Sequence, residues 1–149
     1  MNNNDFATHL SAYFLKYMPT RTGYSSNTIK SYKTPESTTI LCHLRYSSNT
    51  IKSYRDAFII LLRYSKAVLR IKPEKLDFKL INRNMIEDFL SWLECQKRYS
   101  VSTRNLRLAA LHAFFRYVQL ESPEYMELCC SILAIKSKKT SYWNKLSIN

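Results

Sequence analysis

Glycine is nearly missing from this chain: Gly23 is the single one among 149 residues, and there are only four prolines. A fold assembled from many tight turns draws on both residues, so a β-sandwich is disfavoured. A glycine-rich phosphate loop is excluded outright. Acidic residues are scarce as well, 11 against 23 Lys and Arg, which leaves a formal charge of +12. That excess points to a polyanionic partner, nucleic acid first and an anionic membrane second. No apolar run approaches the ~20 residues needed to span a bilayer. The N-terminus, Met1-Asn2-Asn3-Asn4-Asp5, is polar and unlike a signal peptide. Cys42, Cys95, Cys129 and Cys130 form no CxxC, and His9, His43 and His112 are scattered, so no metal-ligand spacing occurs. These features predict a cytoplasmic protein with reduced thiols, no metal and no cofactor. What is present is a hydrophobic content of 46%, enough for one compact domain and too much for wholesale disorder.

The apolar residues recur with helical spacing. Phe6, Leu10, Tyr13, Phe14 and Tyr17 form a first stripe over residues 5 to 18, with Asp5 as the predicted N-cap and Pro19 as the stop. From about Asn49 to Leu69, Ile51, Tyr54, Phe58, Leu61, Leu62, Ser65, Val68 and Leu69 share one face, capped by Ser47 or Ser48. Ile60 falls on the outer side. After a connector containing Pro73, Asn82 caps a helix to about Gln96, with Met85, Ile86, Phe89, Leu90 and Leu93 inward. The next helix runs from Thr103 to about Leu120. Leu106, Ala110, Ala113, Phe114, Tyr117 and Val118 are its core stripe, widened by Leu111 and Phe115, which predicts a central helix. Pro123 suits the first turn of a last short helix, Glu124 to Leu133. The expected architecture is all-α, a small bundle of four to five helices. One domain is expected over residues 1–135, followed by a basic linker or frayed tail over 136–149.

One segment is written twice. Tyr24 to Tyr32 reads YSSNTIKSY, and Tyr46 to Tyr54 repeats it letter for letter. The first copy runs into Lys33-Thr34-Pro35, which disfavours helix; the second runs into RDAFIILLRYSKAVL, a good helix. Two copies with different continuations are a local duplication near 24–45, not a solenoid. The second copy is the expected structural one.

Enzyme constellations are weak. The carboxylates are scattered, no Ser–His or Cys–His pair follows from spacing, and His112 sits among alanine and phenylalanine, where a structural role is expected. Two segments instead share a nucleic-acid design: hydroxyls at a helix start, a cation, then a buried helix body. One is Ser47-Ser48-Asn49-Thr50-Ile51-Lys52-Ser53; the other is Ser100-Val101-Ser102-Thr103-Arg104-Asn105-Leu106-Arg107. Free backbone N–H groups and the dipole at a helix N-terminus attract phosphate, hydroxyls donate to it, and Lys or Arg adds charge or base-edge contacts. Capping alone explains one serine in each segment but not the clustered hydroxyls and cations together.

Read in order, FATHLSAYFLKYMPTRTGYSSNTIKSY, SYRDAFIILLRYSKAVLRIKPEKLDFKLINRNMIEDFLSWLE and SVSTRNLRLAALHAFFRYVQLESPEYMELCCSILAIKSKKT resemble the N-terminal core-binding, SAM-like domain of tyrosine recombinases, the phage-integrase and Xer group. SSNTIKSYRDAF and STRNLRLAALHAFFRY carry most of the likeness, with FLSWLE between them. The resemblance implies a helical bundle on one face of a recombination-site duplex, with two helices approaching the major groove and a C-terminal catalytic domain on the other face. It implies DNA contacts at Asn49, Thr50, Lys52 and Ser53, and at Ser102, Thr103, Arg104 and Arg107. Lys52 and Arg104 are read as surface positions, while Arg107 lies beside the apolar face.

The family's catalytic elements have no counterpart here. No H-x-x-R occurs, since His112 is followed by Arg116, one position too far, and none of the 11 tyrosines stands in a nucleophile context. The expectation is a non-catalytic chain whose partners are double-stranded DNA and other recombinase protomers, without membrane or small-molecule substrate. The alternatives are a helical protein-interaction module, using Tyr13, Phe14 and Ile60, or a truncated regulator occupying recombination sites.

Overall fold

The computed structural model describes residues 4–21 and 47–140, and the first copy of the repeat, Tyr24 to Tyr32, lies outside them. Helix α1 spans Asp5–Ala12. Its N-cap is Asn4, one residue before the expected Asp5: the Asn4 side chain accepts from the Ala7 N–H at 3.0 Å. Asp5 is free to act elsewhere, and its carboxylate accepts a 2.5 Å hydrogen bond from the Tyr125 hydroxyl. The helix then widens into a π-helical turn over Tyr13–Tyr17, closed by Met18 N–H to Tyr13 C=O at 2.8 Å. This turn buries Tyr13 completely and leaves Leu15 73% exposed. Pro19–Arg21 makes a single 3-10 turn.

Helix α2 spans Ser48–Ala67, with Ser47 as its cap. It ends two residues before the expected Leu69. Arg70 takes a left-handed conformation, φ 59°, and Ile71 N–H reaches back to Ser65 C=O. That closing turn lifts Val68 and Leu69 off the inward face, and both are exposed, not buried as predicted. Helix α3, Arg83–Cys95, is capped by Asn82 as expected and closes the same way, with Arg98 at φ 54°. Helix α4 spans Val101–Glu121, two residues longer at its start than expected, because Ser100 is the capping hydroxyl. The final helix, α5, is Met126–Leu133, entered through a 3-10 turn at Pro123–Tyr125.

Helix α4 is the central element, packed against α2, α3 and α5. Phe114 meets Phe58, Tyr13 and Phe6 at centroid distances of 5.0, 5.5 and 5.8 Å, in edge-to-face arrangements that aromatic quadrupoles favour. Leu61, Ile86, Phe89, Leu90, Leu93, Leu111 and Ile132 complete the core. Leu106, expected inward, is 47% exposed. It stands two residues, about 200° of helix turn, from both Arg104 and Leu108, and those are the buried ones. Among the described residues there is no strand, so the fold is an all-α bundle.

Helix α1 is fastened at several points. Asn4 Nδ2 donates to the carbonyls of Glu74 and Leu76, and Asp77 Oδ1 accepts from Phe6 N–H. His9 Nε2 lies 2.7 Å from Ser122 Oγ. Tyr13 is part of the core and offers no surface; Phe14 and Ile60 are half-buried against it. The contact face expected of these three residues therefore contracts to the edges of two of them.

Candidate nucleic-acid interface

The two hydroxyl-and-cation segments both form helix starts. In α2, Ser47 Oγ accepts from Thr50 N–H at 3.1 Å and lies 2.9 Å from Thr50 Oγ1. In α4, Ser100 Oγ accepts from Thr103 N–H at 3.2 Å and donates to Thr103 Oγ1 at 3.1 Å. Each start thus carries the same hydroxyl pair, one residue capping and the other in the first turn. Asn49, Lys52 and Ser102 are exposed; Thr50, Ser53 and Thr103 are half-buried.

A hydrogen bond links the two starts. Arg107 Nη1 donates to the Ser53 backbone carbonyl at 3.1 Å, tying the second turn of α4 to the second turn of α2. Arg107 is half-buried, as its place beside the apolar face suggested, and its Nε has no hydrogen-bond partner among the described residues.

Arg104 departs from expectation. It is only 7% exposed, so the surface position read from sequence is corrected. Its Nε lies 3.3 Å from Glu94 Oε1, an ion pair too poorly aligned to count as a hydrogen bond. Its Nη1 donates to Asn105 Oδ1 and to the Lys136 carbonyl. The side chain is drawn under the outgoing chain because α3 delivers a carboxylate beside the first turn of α4. Glu94 Oε2 also binds Lys138 Nζ at 3.0 Å. Lys136 to Lys138, expected to fray, are instead held against α4.

Other polar groups are structural. His112 Nε2 lies 3.1 Å from the Ile132 carbonyl, and burial, opposed by that bond and aided by Arg116, lowers its pKa from the usual imidazole value. Burial pushes the Cys129 thiol up to about 11, which makes it unreactive. The Tyr125 hydroxyl is pushed up to about 12, chiefly by its bond to Asp5. The Ser122–His9 pair, which no sequence spacing revealed, fastens α1 to the end of α4. Among the described residues no cluster of His, Cys, Asp or Glu could hold a metal ion, and no helix is long and apolar enough to cross a membrane.

Residues 36–122 match the phage integrase N-terminal SAM-like domain. The chain belongs to that family. Within it, the chain is similar to two Sinorhizobium fredii proteins named as integrase/recombinases, y4rC and y4rD. It is 45% and 36% identical to them over 85 residues, or 57% of its own length. Those 85 residues cover only 26% and 30% of these relatives. No solved structure matches the chain. The part matched is the N-terminal SAM-like domain, not a catalytic one. In this SAM-like domain, Glu94, Asn105 and Lys138 are the polar groups that sequence reading missed. Asn105 lay inside the flagged segment, and its place one residue after Arg104 in a helix start was the available signal.

Proposed function

We propose that this SAM-like domain binds duplex DNA for a site-specific recombinase and does no chemistry itself. The observation that carries the reading is the Arg107–Ser53 bond, which joins two helix starts of the same hydroxyl-and-cation design. A duplex phosphate backbone meets there hydroxyl donors, free N–H groups at two helix N-termini and the exposed Lys52. The charge of +12 supplies long-range attraction. Asn49, Thr50, Lys52, Ser53, Ser102, Thr103 and Arg107 are the proposed contact set. Arg104 acts from beneath it, holding the first turn of α4 in place, and not as a free cation.

The test is a titration of labelled duplexes at several salt concentrations. Affinity should fall steeply with salt, by about 0.9 log units per log unit of salt for each phosphate contact. Lys52→Ala should make that slope shallower by about one contact. Binding that ignores salt, or a Lys52→Ala slope equal to that of the native chain, overturns the assignment. A protein-interaction module would show only weak binding without sequence preference. A nicked recombination site should yield no covalent protein–DNA adduct, and an adduct through any tyrosine of this chain would refute the non-catalytic reading.

A further inference from the structure

The Asn105 side-chain amide pairs with Lys138 as one backbone pairs with another. Its Oδ1 accepts from the Lys138 N–H at 3.0 Å, and its Nδ2 donates to the Lys138 carbonyl at 2.7 Å. Both main-chain groups of one residue are thus satisfied by one side chain, which fixes that residue's position and orientation. Arg104 holds the Lys136 carbonyl beside it, and Glu94 holds the Lys138 ammonium. Nothing in the packing of the core requires this. Among the described residues Ile135 is the last buried apolar one, and Lys136 to Lys139 are exposed. A polar strand with three cations is nevertheless seated on the first turn of α4.

We propose that Asn105 is a positioning residue that presents Lys136–Lys139 as a third phosphate-binding element, beside the starts of α2 and α4. The inference rests on the duplex-binding reading above and adds a site to it. A flexible basic strand would lose conformational entropy on binding a polyanion; one already held by two main-chain bonds has lost most of it beforehand. Among the described residues only Lys138 has its ammonium engaged, by Glu94, and no side-chain bond to them holds Lys136 or Lys139, both of which are exposed.

Asn105→Ala removes the pairing without altering charge. Hydrogen exchange at the Lys138 amide should accelerate by about tenfold, the loss of one modest hydrogen bond. The salt slope of duplex binding should become shallower by about one to two contacts, with affinity at low salt reduced severalfold. Lys136→Ala with Lys139→Ala keeps the pairing and cannot unfold the domain, since both residues are exposed; it should give the same shallower slope with the Lys138 amide still protected. Arg83→Ala serves as the charge control. It removes a cation paired with Glu87 at the far end of α3, about 18 Å along the helix, and should leave the slope unchanged. Salt-dependent binding that is native-like in both the Asn105 and the Lys136/Lys139 variants overturns this inference alone. Failure of the unaltered chain to bind duplex overturns it together with the function proposed above. An equal effect from Arg83→Ala also overturns it, because net charge and not the seated strand would then be responsible.

Discussion

Two helix starts in this molecule have nearly the same recipe and different surroundings. Ser47 and Ser100 cap, Thr50 and Thr103 share their hydroxyls, and a cation follows two residues or one residue later. At α2 the cation, Lys52, reaches solvent. At α4 the cation, Arg104, is buried between Glu94 and the Lys136 carbonyl. The difference comes from neighbours distant in sequence: α3 ends beside α4 and brings a carboxylate, and the chain returns after α5 to cover the first turn. A charged residue at a helix start is therefore a phosphate ligand or an internal strut according to what lies over it.

The sharpest way to break this comparison is to remove both cations in turn. Arg104→Ala should destabilise the domain by about 3 kcal/mol, because it takes the cation from the half-buried Glu94 Oε1, leaving only Lys138 on that carboxylate, and releases the Lys136 carbonyl. Lys52→Ala should change stability by less than about 0.5 kcal/mol, as an exposed side chain with no partner among the described residues. Urea unfolding midpoints measure both, and equal losses would erase the distinction. The caps should behave alike where the cations do not: Ser47→Ala and Ser100→Ala are each expected to cost about 1 kcal/mol. A much larger loss at Ser100 would show that the covering strand depends on that cap.

The smallest effect is confined to mild acid. His112 lies at the far half of α4, and its pKa is lowered in the fold, chiefly by burial. The unfolded chain therefore takes up the proton first as pH falls. Stability from this residue is complete above the ordinary value of 6.5 and declines as pH drops through the lower folded value. His112→Gln keeps a donor for the Ile132 carbonyl and should flatten the loss between pH 7 and 5 relative to the native chain. Parallel curves for the two proteins would remove His112 as the cause.

Much of the fold was legible because helices advertise themselves through spacing. The inward faces of α3 and of α4 from Ala110 onward follow from apolar periodicity, and Asn82 and the Ser47–Ser48 pair were readable as caps. Periodicity failed at the helix ends. Val68 and Leu69 continue the stripe of α2, but left-handed Arg70 closes the helix before them, and in a chain this poor in glycine no glycine marks the place. Asn4 and Asp5 are equally good caps by composition, and the choice was made by Tyr125, which engages Asp5 from the other end of the chain. The candidate site was legible as two segments but not as a joined surface. The Arg107–Ser53 bond spans 54 residues and the Lys136 carbonyl over Arg104 comes from 32 residues away, separations that local pattern does not encode.

The fastening of α1 bears on how the chain accommodates a segment written twice. Asn4, Phe6, His9 and Asp5 bind partners between Glu74 and Tyr125, all on the far side of the repeated segment in sequence. The first helix is thus registered against the second half of the polypeptide by its own contacts, independently of how many residues connect it to α2. Lengthening a connection costs little, about 0.6 kcal/mol for each doubling of its length. A second copy of 22 residues between α1 and α2 is therefore expected to leave every one of those anchors in place. The same anchors predict that an epitope or a fluorescent reporter spliced in between α1 and α2 leaves the bundle intact, with unchanged cooperative unfolding as the measurement.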